Sequence, residues 1–194
     1  MHRCVEKLAR TFALIGGGVL TFLIILTCAS VLGRTINSIL HSDLIQTAMP
    51  DLAAIMLATG IGPINGDYEI VEAGMAFAIF AFLPICQLHG SHAAVDVFTS
   101  KLPQRFNRAL RMVIELAFAA VLITFAWQLS LGGLSKYNSG QTTFLLEFPV
   151  WWSYAASILA AWVAALVGVY VALARTREGI TGQPGPLHDD GAGH

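Results

Sequence analysis

His89 and His92 stand three residues apart, with Asp96 four residues further on, inside the run HGSHAAVD. Imidazoles and a carboxylate at such spacing are the groups that ligate a metal or a haem iron, or that act as acid and base. Haem ligation inside a membrane needs axial ligands from facing helices. The remaining histidines, His2, His41, His188 and His194, all fall outside the long apolar runs. An HxxxD spacing also occurs in lipid phosphatases, but the arginine and Ser-Gly-His partners of that chemistry are missing. Cys4, Cys28 and Cys86 are far apart, with no CxxC or CxxxH, so they read as small apolar fillers rather than a disulfide framework or zinc site. The expectation is no catalytic residue, no cofactor and no metal, with His92 and Asp96 fixing a turn at the end of a helix.

Glu72 and Glu115 are the ionisable groups nearest the apolar runs, where an acid is by default a candidate for proton or ion coupling. Each lies within about two turns of an expected helix start. Glu115 also follows Arg111 by four residues, within salt-bridge reach on one helix face. The first and last apolar runs carry no acid, lysine or histidine at mid-membrane, and no broken helices or inverted repeats build a carrier site. Both acids are therefore read as structural.

The elements that must position these groups follow from composition. Of 194 residues, 56% are hydrophobic and only 12% charged, against roughly 25% charged in a soluble domain. Apolar runs of about 20 residues point to an all-α membrane protein. Four transmembrane helices are expected, at about 12–33, 69–88, 109–131 and 149–174, in one domain over 1–174. The first run is too long for a signal-peptide core and is read as an uncleaved crossing. The Gly/Pro-rich residues 175–194 are expected to be a disordered cytoplasmic tail. Leu44–Ile64 is apolar enough to compete as a crossing, but Gln46, Pro50, Asp51, Gly60, Gly62 and Pro63 oppose it. A short interfacial helix at about 50–59 is expected instead. The formal net charge of −1 gives no sign of a nucleic-acid partner, and none is expected.

Charge placement orients the chain. With four crossings, one side carries Arg3, Lys7, Arg10, Lys101, Arg105, Arg108, Arg111, Arg175 and Arg177, and the other only Arg34 and Lys136. The positive-inside rule then puts both termini in the cytoplasm. A fifth crossing at 44–64 would turn the basic ladder outward. Lys101, Arg105, Arg108 and Arg111 share one helical face and are expected to meet anionic lipid headgroups. Trp151, Trp152 and Tyr154 are expected as interfacial anchors. Ala156, Ala160, Ala164 and Gly168 place a small residue every fourth position, a face for close packing on another helix of this chain or of a partner.

Read together, these residues resemble the DctQ-like small permease subunit of tripartite ATP-independent periplasmic (TRAP) transporters. The likeness spans about 14–171 and rests on several motifs in order. These are Arg34 after the first helix, Tyr68, Glu69 and Glu72 entering the second, and Gly90, His92, Val95 and Asp96 at the following turn. Leu102-Pro103, Thr143 and the P-x-W-W-x-Y run of Pro149, Trp151, Trp152 and Tyr154 complete it. The chain departs from the pattern in its longer 36–65 segment, in Tyr68 where tryptophan is common, and in Phe144 and Glu147 where proline and glycine are usual.

The resemblance implies a multi-pass scaffold subunit of the bacterial inner membrane, with Arg34, Glu69 and Glu72 as polar contacts on the periplasmic side. The implied partners are a large permease subunit, a periplasmic substrate-binding protein and membrane lipids. The implied activity is sodium-coupled secondary import of an organic acid or similar solute. The rival readings are a membrane-anchor subunit of a redox or lipid-modifying enzyme complex, and a self-contained small carrier.

Overall fold

The computed structural model describes residues 2–42, 62, 64–89 and 104–181. Four α-helices account for most of them: α1 (His2–Leu40), α2 (Asp67–Leu88), α3 (Gln104–Ser139) and α4 (Trp151–Thr181). Each contains a segment long and apolar enough to cross a membrane. Among the described residues there is no strand, only one isolated bridge between Thr142 and Pro149. The interfacial helix expected at 50–59 lies outside the described residues.

The helices outrun the apolar segments inside them. α1 has 39 residues and α3 has 36, about 58 and 54 Å at 1.5 Å per residue, against a hydrocarbon core of about 30 Å. Both therefore project beyond the bilayer core. α4 continues through Arg175 and Arg177 to Thr181, so residues 175–181 are helical where a disordered tail was expected. Good helix formers such as Arg175, Arg177 and Glu178 let the helix propagate past its apolar run.

The helices pack in the order α1, α2, α4, α3, with only slight contact between α1 and α4. The α1–α2 seam has a regular register. A Cβ added at Gly16 would lie 2.9 Å from Ala81 Cβ, and one added at Gly74 would lie 2.8 Å from Leu23 Cδ1. The Ser30 hydroxyl bonds to the Asp67 carboxylate. Positions 16, 23 and 30 on α1 thus meet 81, 74 and 67 on α2. A spacing of seven on both antiparallel helices is the period of left-handed helix pairing. Gly16 allows an approach that a side chain would block, and Gly74 leaves room for the end of Leu23; such close approach is how helices gain van der Waals contact where lipid removes the hydrophobic drive between them.

The densest packing surrounds α4. Leu122 and Ala126 of α3 cluster with Ala161, Ala164 and Ala165 of α4, and Phe80 and Leu83 of α2 pack against them. Gly168 sits under Leu122, whose Cδ1 would lie 3.0 Å from an added Cβ, with Gln87 Nε2 of α2 at 3.9 Å. Further along, the Trp162 indole donates to Ser130 Oγ at 3.1 Å, and that hydroxyl donates to Ala126 O at 2.7 Å. The small-residue face of α4 is therefore used largely within the chain: Ala160, Ala164 and Gly168 are buried, and Ala156 is exposed.

The outward faces remain apolar and exposed, with Leu14, Phe22, Ile25 and Leu32 on α1 and Val113, Phe125 and Trp127 on α3. Cys4, Cys28 and Cys86 are free and exposed. They do not fill the interior, as their apolar character had suggested, because alanine and glycine occupy the tight seams.

Candidate functional site

Among the described residues, a set of polar contacts between elements gathers at the end of the bundle where α2 begins and α3 turns into α4. Gly66, with φ 81°, is the left-handed residue that opens α2, and its carbonyl accepts from the Glu69 and Ile70 amides. Asp67 and Glu69 in the first turn complement the positive end of the helix dipole. Asp67 accepts hydrogen bonds from Ser30 Oγ and from the Tyr68 amide (2.7 Å) and pairs with Arg34 at 3.7 Å. α1 and α2 are thus joined at this end by one carboxylate.

Glu69 reaches the other way. Its Oε1 accepts from the Leu145 amide at 2.7 Å and its Oε2 from the Leu146 amide at 3.0 Å. Those amides belong to a narrow loop between α3 and α4. Gly140 (φ 61°) ends α3 in the left-handed conformation. The Val150 amide then donates to Gln141 O at 3.0 Å, and the Thr143 amide to Phe148 O at 2.9 Å. The Thr143 hydroxyl accepts from the Phe148 amide at 3.2 Å. Lys136, in the last turn of α3, donates to Gln141 Oε1 at 2.7 Å. Glu147 holds φ 52° near the loop's end. Leu146 lies directly over Gly66, where an added Cβ would run into its Cγ. One acid of α2 and the glycine that caps it therefore dock the loop.

Under the loop lies a cavity of about 600 Å³. Tyr68, Glu69, Glu72, Ala73 and Ala76 of α2 form one wall. Ser153, Tyr154 and Ser157 of α4 form another, with Phe144, Leu145 and Phe148 above and Leu129 of α3 behind. Glu72 is exposed. Ser157 is 2% exposed and its hydroxyl has no hydrogen-bond partner.

Trp151 stacks edge-on against Tyr137 and Trp152, with ring centroids 5.5 and 6.1 Å apart. Trp152 is exposed, while Tyr154 packs on Gly132 and Gly133 of α3. Of the three expected anchors, Tyr154 is thus part of a helix–helix seam.

At the opposite end, His89 Nδ1 lies 3.0 Å from Ile85 O, one turn back on α2. His92, Asp96 and Lys101 lie outside the described residues, as do the side chains of Arg105, Arg108 and Arg111 on α3. Among the described residues no three His, Cys, Asp or Glu side chains converge as metal ligands. Gln87, 1% exposed, has no hydrogen-bond partner.

The structure brings Arg34, Glu69 and Glu72 to one end of the molecule, two of them already engaged inside the chain. Sequence reasoning missed Ser30, Asp67's central role, the loop amides and Ser157. The seven-residue recurrence of Gly16, Leu23 and Ser30 could have revealed the first. The others depend on contacts between elements far apart in the chain.

No curated protein and no solved structure matches the chain significantly. The family model for tripartite ATP-independent periplasmic transporters, DctQ component, matches residues 23–178. That range includes the Ser30–Asp67 contact, the docked loop and the α3–α4 core. By this match the chain belongs to the DctQ family: it is a small membrane subunit of a TRAP transporter and a multi-pass protein of the inner membrane.

Proposed function

We propose that this subunit is the fixed scaffold of a sodium-coupled importer of an organic acid or similar solute. In this reading it anchors a large permease subunit, which carries the solute and sodium sites, and helps a periplasmic binding protein to dock. The family match carries the reading. It is supported by the way the chain uses its polar groups: Arg34, Asp67, Ser30 and Glu69 brace one end of the bundle. The exposed apolar faces of α1 and α3 supply surface for a second membrane subunit.

Both termini lie in the cytoplasm on this reading, because nine of eleven Lys and Arg residues fall on the terminal side. The end bearing Arg34, Glu69, Glu72 and the α3–α4 loop is then periplasmic and forms part of the docking surface. Lys101, Arg105, Arg108 and Arg111 bind anionic headgroups at the inner leaflet, each worth about 1 kcal/mol there. His92 and Asp96 shape the turn beside them. Trp151 and Trp152 set the depth of α4. The segment 36–65 carries an interfacial helix at about 50–59 on the outer face.

Reconstitution tests the whole. Vesicles with this chain alone take up no solute. Adding the large permease subunit, the binding protein and an inward sodium gradient restores uptake. Uptake by this chain alone would overturn the scaffold role, and uptake indifferent to sodium would overturn the coupling. Single cysteines test the orientation: Ser139→Cys is expected to react with an impermeant thiol reagent from the periplasm and Arg177→Cys only from the cytoplasm.

A further inference from the structure

The cavity beneath the α3–α4 loop is not explained by the scaffold role. Its volume of about 600 Å³ is that of a small-molecule site, and its lining has a direction. Glu72, at the rim, is exposed and makes no hydrogen bond or ion pair among the described residues. Ala73, Ala76 and Leu129 continue the wall as apolar surface. Tyr68, Phe144, Phe148 and Tyr154 add aromatic rings. Ser157 contributes a buried hydroxyl without a partner, and such a group is costly to leave unpaired.

We propose that this cavity binds a zwitterionic aminophospholipid of the ethanolamine class. The ammonium group pairs with Glu72 at the rim, the acyl chain runs along Ala73 and Ala76, and a glycerol ester carbonyl accepts from Ser157 Oγ. Three observations select this occupant. The free carboxylate asks for a cation, and the aromatic rings favour one as well. The polar rim and apolar wall match a molecule whose charged head stays outside while its tail enters. A lysine or arginine from another protein enters with the opposite polarity, stem at the rim and charge at the tip. Finally, Trp151, Trp152 and Tyr137 gather at the same end of the bundle, the aromatic belt that marks headgroup depth. The proposal requires the membrane location and does not depend on the transport reading.

The test uses the full-length protein, purified in mild detergent with whatever subunit remains bound. It is exposed to micelles of dioleoyl phosphatidylethanolamine or dioleoyl phosphatidylglycerol, and retained lipid is counted by native mass spectrometry. The ethanolamine lipid is expected to be retained about tenfold better, the worth of one charge-assisted contact. Glu72→Gln keeps the shape and is expected to abolish the preference. Ser157→Ala is expected to weaken retention of the ethanolamine lipid severalfold while leaving the helices folded by circular dichroism. Equal retention of both lipids by the parent protein would overturn the proposal, as would a preference unchanged in both variants. Efficient cross-linking of an Ala76→Cys variant to another subunit would also overturn it, because the cavity would then be filled by protein.

Discussion

Ser30 of α1 donates its hydroxyl to the carboxylate of Asp67, the first residue of α2. Asp67 also holds Arg34, one turn further along α1, so one acid joins two helices at the end of a seam otherwise made of glycine, alanine and leucine. Ser30→Ala and Asp67→Asn are each expected to lower the thermal midpoint in detergent. The double variant is expected to fall by less than the two separate losses added together, because both remove the same contact. Fully additive losses would show that the two residues act independently.

The Gly16–Gly18 run offers a test of the seam in which one chemical change has opposite outcomes. An alanine methyl at position 16 would press to 2.9 Å from Ala81 Cβ, which sits on helix backbone and has no torsion by which to move away. At position 18 it would meet nothing within 4 Å. Gly16→Ala is expected to destabilise by about 1–3 kcal/mol. Gly18→Ala is expected to be neutral or to stabilise by up to about 1 kcal/mol. Chemical unfolding in mixed micelles measures both, and equal effects would contradict the seam.

Docking of the α3–α4 loop depends on Glu69 and Gly66. Glu69→Ala removes the acceptor of the Leu145 and Leu146 amides, and those amides are expected to exchange with solvent deuterium faster while the helix cores do not change. Gly66→Ala meets two penalties together, a left-handed φ and contact with Leu146. About 2 kcal/mol of destabilisation is expected, together with the same loop exposure.

Glu147 holds a left-handed φ of 52°, which costs a non-glycine residue about 1–2 kcal/mol. Glu147→Gly is expected to stabilise the chain by up to about 1 kcal/mol, since glycine's greater freedom in the unfolded state offsets part of the relief. A rise in the unfolding midpoint is the measure.

Much of this protein was legible in the residue order because lipid imposes simple rules. Every crossing must be a helix of about 20 apolar residues, so the four helices announce themselves at Phe12–Gly33 and in the three later runs. Where the rule weakens, so did the reading. α1 extends to Leu40 and α4 to Thr181 because a helix started in lipid continues through any residues that favour it. The small residues of α4 were visible as a stripe. Which helix they meet was not, and the answer for Ala164 and Gly168 is this chain's own α2 and α3.

The sequence by itself determined the four apolar helices seen among the described residues, their all-helical class and the DctQ likeness, since each follows from local composition and short ordered motifs. Only the tertiary structure decided what the polar residues do. Glu69 and Glu72 are three residues apart, yet Glu69 is taken up by amides from 76 and 77 positions away, while Glu72 faces a cavity under the same loop. Such a difference arises from the packing order α1, α2, α4, α3, which is a property of the assembled helices and of no single one.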